Sequence, residues 1–103
     1  MKIIIYLLII LKVLLPQVLI ADETLIKGKE IFLNSGNCAA CHSLKDAGSV
    51  ANVGPNLNEI RPDIGRVKIA VMNGIGVMPS YQGILSGDEI DAVSYYVSES
   101  TNN

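Results

Sequence analysis

Cys38-Ala39-Ala40-Cys41-His42 contains both cysteines and the single histidine of a 103-residue chain. A spacing of three residues lets one helical turn present the two thiols on the same side, and the imidazole follows the second thiol directly. Around this cluster the sequence offers little to hold a domain together. Gly36 to Pro62 reads as loop, with glycine at 36, 48 and 54, asparagine at 37, 52, 56 and 58, and proline at 55 and 62. Gly74 to Gly83 reads the same way, with three glycines and Pro79 in ten residues. Helices flank the loops. One is expected from Asp22 or Glu23 to Leu33, with Leu25, Ile26, Ile31 and Phe32 on adjoining parts of one side, and another from Asp63 to Asn73, opening beside Pro62 and closing at Gly74. The clearest begins at Ser86-Gly87-Asp88-Glu89, a capping box followed by Ile90, Val93 and Val97 at i, i+3 and i+7 with Tyr96 beside them. No stretch combines strand alternation with hairpin turn residues, so the expected fold is all-α. Three short helices make a poor core by themselves, and long loops in a compact domain usually wrap around something.

The spacing C-x-x-C-H is that of c-type haem attachment, in which the two thiols meet the two vinyl groups of one porphyrin. The histidine after the second thioether is then held under the ring, where an imidazole nitrogen can bind iron. Ala39 and Ala40 are small enough for the backbone to lie close to the macrocycle. Three rivals explain less. A structural zinc needs four ligands, and two cysteines and one histidine do not supply them. A thioredoxin-like pair needs a βαβ context that the pattern lacks. A plain disulfide leaves His42 and the long loops unexplained.

Composition fits an exported domain. Residues 1–21 hold 17 apolar residues, interrupted by Lys2, Lys12, Pro16 and Gln17. A basic start, an apolar run from Ile3 to Leu11 and the small residue Ala21 read as a signal peptide, leaving a domain over 22–103. The alternative is an uncleaved anchor, against which Lys12 stands: a mid-span charge costs about 2.5–3.5 kcal/mol on insertion scales. The domain keeps 34 apolar residues among 82, an ordinary soluble share, and six basic against ten acidic residues, a net charge of −4. That balance argues against a nucleic-acid partner.

With the motifs in order along residues 25–98, the sequence resembles a small class I monohaem cytochrome c, whose fold is all-α: three main helices and long loops wrapped around one covalently bound haem. Gly28 and Phe32 resemble the first-helix Gly-x-x-x-Phe of that family, and Tyr96 the last-helix aromatic it meets. Gly54-Pro55-Asn56-Leu57 resembles the Gly-Pro-x-Leu loop. The resemblance implies that the Pro55 carbonyl accepts a hydrogen bond from His42, fixing the ring and raising its basicity. Asn73-Gly74-Ile75-Gly76-Val77-Met78-Pro79 resembles the loop that delivers the distal methionine. Two methionines compete for that role. Met78 stands in a glycine-rich loop before Pro79, which holds the backbone extended, whereas Met72 sits in the second expected helix and reads as packing against the haem.

The expected site is therefore Cys38 and Cys41 as thioethers, His42 and Met78 as axial iron ligands, and Pro55 in the haem pocket. Tyr81 and Arg61 are candidates for the haem propionates. Asp88, Glu89 and Asp91 read as complements to a helix dipole rather than a metal site, and Tyr95 reads as a packing residue. Two axial side chains fill the iron, leaving a one-electron carrier rather than an enzyme. It would be a periplasmic monomer exchanging electrons with a dehydrogenase or membrane complex and an oxidase or reductase, with no small-molecule substrate. The alternatives are a dedicated subunit of a dehydrogenase acting on sulfite or an alcohol, and a haem peroxidase or sensor.

Overall fold

No glycine or proline lies between Ile20 and Lys27, so nothing in that stretch stops a helix. In the structure, a computed structural model describing residues 20–103, the chain is helical from residue 20 to 30 (α1) and continues into a π-helical turn over Ile31–Ser35. The first helix thus begins earlier than the acidic pair Asp22–Glu23 suggests, and Thr24 Oγ1 already donates to the Ile20 carbonyl at 2.8 Å. The wider turn closes where Gly36 N–H donates to Ile31 O at 2.8 Å, five residues back. The signal-peptide reading of residues 1–21 falls almost wholly outside the described residues. No described helix is long and apolar enough to cross a membrane.

The loop after α1 is not featureless. Strands β1 (Ser43–Leu44) and β2 (Ser49–Val50) pair antiparallel, Ser43 opposite Val50 and Leu44 opposite Ser49. Two residues per strand are too few to display an alternation, which is why the hairpin escapes a pattern reading. It packs through Leu44, which is fully buried. A one-turn helix, α2 (Leu57–Ile60), follows, capped by Asn56 Oδ1 accepting from Asn58 N–H at 3.0 Å. Next, Asp63 accepts from Arg66 N–H at 2.8 Å and opens α3 (Ile64–Asn73), which ends at Gly74. The last helix, α4 (Gly87–Asn102), carries the expected box: Ser86 Oγ accepts from Glu89 N–H at 3.1 Å while Ser86 N–H donates to Glu89 Oε1 at 3.0 Å. Those bonds hold the Glu89 carboxyl below its ordinary value. Asp91, from the same acidic cluster, pairs with Lys68 at 2.8 Å.

Two contacts fix how the helices meet. At the α1–α4 crossing, a Cβ on Gly28 would stand 2.3 Å from the Ala92 carbonyl oxygen and 2.5 Å from Tyr96 Cβ, so only glycine permits this approach. Beside it the Phe32 and Tyr96 rings meet edge to face, centroids 5.9 Å apart. The Tyr96 hydroxyl donates to Asp46 Oδ2 at 2.6 Å, and Asp46 also lies 3.6 Å from Lys29 Nζ, which ties the β1–β2 turn to α1 and α4. Burial and the Asp46 bond together raise the Tyr96 pKa above its ordinary value. Helix α3 packs along α4, and the α4 C-terminus is pinned to the exit of α2 by Arg61 Nε donating to Thr101 O at 3.2 Å and Asn102 Nδ2 donating to Pro62 O at 3.0 Å.

Candidate functional site

Between α3, α4 and the two long loops lies a cavity of about 780 Å³, within the range of small-molecule and cofactor sites. Its walls include Phe32, Leu57, Val67, Val71, Val93 and Val97 from the core. They also include Val53, Ile60, Ile69, Ile75 and Val77, all exposed in the chain alone, Val77 to 92%. Apolar side chains gathered on an open concave wall mark a surface meant to be covered. Cys38, Cys41, His42, Pro55 and Met78 all line this one cavity.

The histidine side is built by short-range bonds. Cys38–Ala40 form a single 3₁₀ turn, entered through Asn37 in the left-handed region (φ 50°). Cys41 N–H and His42 N–H both donate to Cys38 O, at 3.1 and 2.9 Å. Gly54 N–H donates to Cys41 O at 2.8 Å, bringing the 54–57 loop over the imidazole. A Cβ on Gly54 would lie 2.6 Å from His42 Cε1 and 2.8 Å from Nδ1, so a bare backbone is needed there. His42 Nδ1 is 2.8 Å from the Pro55 carbonyl oxygen. A carbonyl only accepts, so Nδ1 carries the proton and the Nε2 lone pair is left available to a metal. Of the two cysteines on this turn, Cys38 is half-buried and Cys41 exposed.

The methionine side is a tight turn. Ile75 and Met78 exchange backbone hydrogen bonds of 3.1 and 2.9 Å across Gly76 and Val77. Gly76 has φ +57°, the positive value that the first central residue of a two-residue hairpin turn requires and glycine supplies. The turn is braced on α3: Ser80 Oγ donates to Met72 O at 2.5 Å and Tyr81 N–H to Val71 O at 2.9 Å. Met72 is not packed toward this cavity. It lines a separate groove of about 330 Å³ with Lys68, Leu85 and Ile90, because its position on α3 turns it toward the start of α4.

Each of the two propionate candidates makes a long-range hydrogen bond within the protein. Arg61 spends its Nε on Thr101, as above, and is not part of the cavity wall. Tyr81 lines the cavity, but its hydroxyl donates to Gly36 O at 2.7 Å. Polar groups at the cavity that the sequence reading passed over are Asn37, Asp63 and Arg66. Arg66 falls with Asp63, Ile69 and Ala70 at helical spacing on the cavity face of α3, a signal visible only once that face is known.

The donor set fits haem: two cysteine sulfurs on one turn, an imidazole held through Nδ1 with Nε2 left for a metal, a thioether on a braced turn, and an apolar wall around them. Such a fold around such a cavity defines a c-type cytochrome domain. The comparisons agree. The family model for cytochrome c oxidase, cbb3-type, subunit III, matches residues 23–97. Cytochrome c6 of Cladophora glomerata is 34% identical over 87 residues, covering 79% of this chain and 93% of that protein. Cytochrome c6 of Euglena gracilis is 40% identical over 78 residues, covering 68% and 85%. The crystal structure of the c-type cytochrome SorU from Sinorhizobium meliloti matches with a TM-score of 0.74 at 51% identity, over 78% of this chain and 93% of that one. The chain belongs to the c-type cytochrome family. It is a monohaem electron carrier whose haem c is covalently bound.

Proposed function

We propose that Cys38 and Cys41 form the thioether bonds, that His42 Nε2 and the Met78 sulfur are the axial ligands, and that Pro55 orients His42 through its carbonyl. The observation that carries this reading is the convergence of these five residues on one cavity while Met72 faces another. Haem iron, when bound, supplies a one-electron change of valence, and a methionine–histidine pair raises its potential. The chain's residues do the rest. The Pro55 bond keeps His42 in one tautomer, Gly54 keeps the ring from turning, and the apolar wall excludes water. If His42 and Met78 both hold the iron, haem would offer no open place for a substrate, which makes the chain an electron carrier rather than an enzyme.

The carrier works in the periplasm, exported by residues 1–21 and exchanging electrons with a dehydrogenase or membrane complex on one side and an oxidase or reductase on the other. Contact is made at the apolar rim: Val77 is almost fully exposed, and Ala40 and Pro79 are exposed and uncharged. A net charge of −4 over residues 22–103 steers the domain toward basic patches, so its electron-transfer rate falls as salt rises.

Replacing Met78 with alanine in the holoprotein tests the ligand set. The sulfur-to-iron absorption band of the oxidised protein should vanish, and it should persist in Met72→Ala. The opposite pattern assigns the ligand to Met72.

A further inference from the structure

Tyr81 is held at two ends by two separate parts of the fold. Its N–H donates to Val71 O near the end of α3 at 2.9 Å, and its hydroxyl donates to Gly36 O at 2.7 Å, 45 residues away. Gly36 closes the π turn of α1 and lies two residues before Cys38, whereas Tyr81 lies three residues after Met78. One side chain therefore connects the segment that presents the thiols to the segment that presents the methionine. The acceptor is firmly placed. Gly36 is buried, and a Cβ there would stand 3.0 Å from Ile31 O and 3.2 Å from Cys38 Sγ. The Tyr81 ring is packed against the core. By contrast the 75–78 turn has its own two backbone bonds but leaves Ile75 and Val77 exposed. What keeps that turn in place must come from its flanks.

We propose that the Tyr81–Gly36 hydrogen bond is a latch that holds the Met78 turn against the cavity and sets how readily an outside ligand displaces Met78 from the metal. The inference rests on the reading of Met78 as axial ligand. A thioether is a weak, uncharged donor, so its displacement is governed by how often the turn swings away, a local opening distinct from global unfolding. An external ligand binds with an affinity scaled by that open fraction. Tyr81 acts through Met78 and is a positioning residue.

The test is imidazole titration of the oxidised holoproteins, followed by loss of the sulfur-to-iron band. Tyr81→Phe keeps the ring and removes only the hydroxyl. Its imidazole affinity should rise roughly 2- to 12-fold, the range of one net hydrogen bond. Its band should also disappear on heating at a temperature further below the global unfolding midpoint than in the unsubstituted protein. Tyr96→Phe, which deletes the other long-range tyrosine bond, should lower the unfolding midpoint and leave the imidazole affinity unchanged. An unchanged affinity in Tyr81→Phe overturns the latch, and so does an equal rise in Tyr96→Phe, because a general loosening then accounts for both. Met78→Ala separates the two ideas. If it retains the band, the ligand assignment itself fails; if it loses the band while Tyr81→Phe titrates like the parent, the latch alone fails.

Discussion

The two flanks of α4 are finished in different ways. On one, Ala92 and Tyr96 meet Gly28 of α1 and Phe32 of the π-helical turn at contact distance, with ring against ring and backbone against backbone. On the other, Val93 and Val97 face a cavity whose far wall leaves Val53, Ile60, Ile69, Ile75 and Val77 exposed. The first flank is closed by protein alone, and the second is left open with a wall that fits the prosthetic group. Hydrophobic burial drives both, and the helices leave a periodic trace on either side, but the loops that complete the second flank leave none. A loop that packs on a flat disc has no helical or strand period to obey.

The largest expected effect comes from removing the anchor of the second flank. A Cys38→Ala, Cys41→Ala double variant should carry no covalent haem and should lose most of its far-ultraviolet helical signal and its cooperative thermal transition. A domain of this size without its group has too small a core. A sharp transition with near-native helicity in that variant breaks the comparison, because the first flank then suffices.

The same substitution on each flank sharpens it. Gly54→Ala would place a Cβ 2.6 Å from the His42 ring and should displace the imidazole, altering the haem absorption spectrum and the potential. Gly28→Ala would place a Cβ 2.3 Å from Ala92 O and push α1 off α4. Overpacking of this kind costs on the order of 1–3 kcal/mol. The thermal midpoint should drop by about 4–8 °C per kcal/mol in a domain of this length, with the spectrum unchanged. A spectral change in Gly28→Ala but none in Gly54→Ala contradicts the division of labour.

The smallest effect is a pH dependence on the first flank. Tyr96 has a folded pKa raised by burial and by Asp46 above the ordinary value near 10. Its contribution to stability is complete below that ordinary value. It is lost as pH climbs from there toward the folded value, because the unfolded chain ionises first. Tyr96→Phe should cost about 1 kcal/mol at neutral pH. Urea melts at stepped pH should show the gap between parent and variant narrowing above pH about 10. A gap that widens there reverses the sign.

Which features the chain disclosed in advance follows from the reach of the interactions involved. The Ser86–Glu89 box, the α3 helix between Asp63 and Gly74 and the Cys-x-x-Cys-His turn each depend on groups within a few residues of one another, so residue types at short spacing specify them. The β1–β2 hairpin and α2 are equally local but too short to show a period. The side chains that went elsewhere are all long-range. Tyr81 and Arg61 are polar groups near the haem segments, and nothing in their neighbours points to Gly36 or Thr101, 45 and 40 residues away. Arg66 and Met72 share one helix, yet one lines the cavity and the other a separate groove. Which side of α3 is inward depends on how that helix rolls against α4. That rotation is set by the summed packing of Val67, Val71, Leu85, Ile90 and their neighbours, a property of the assembled core that no single stretch of residues carries.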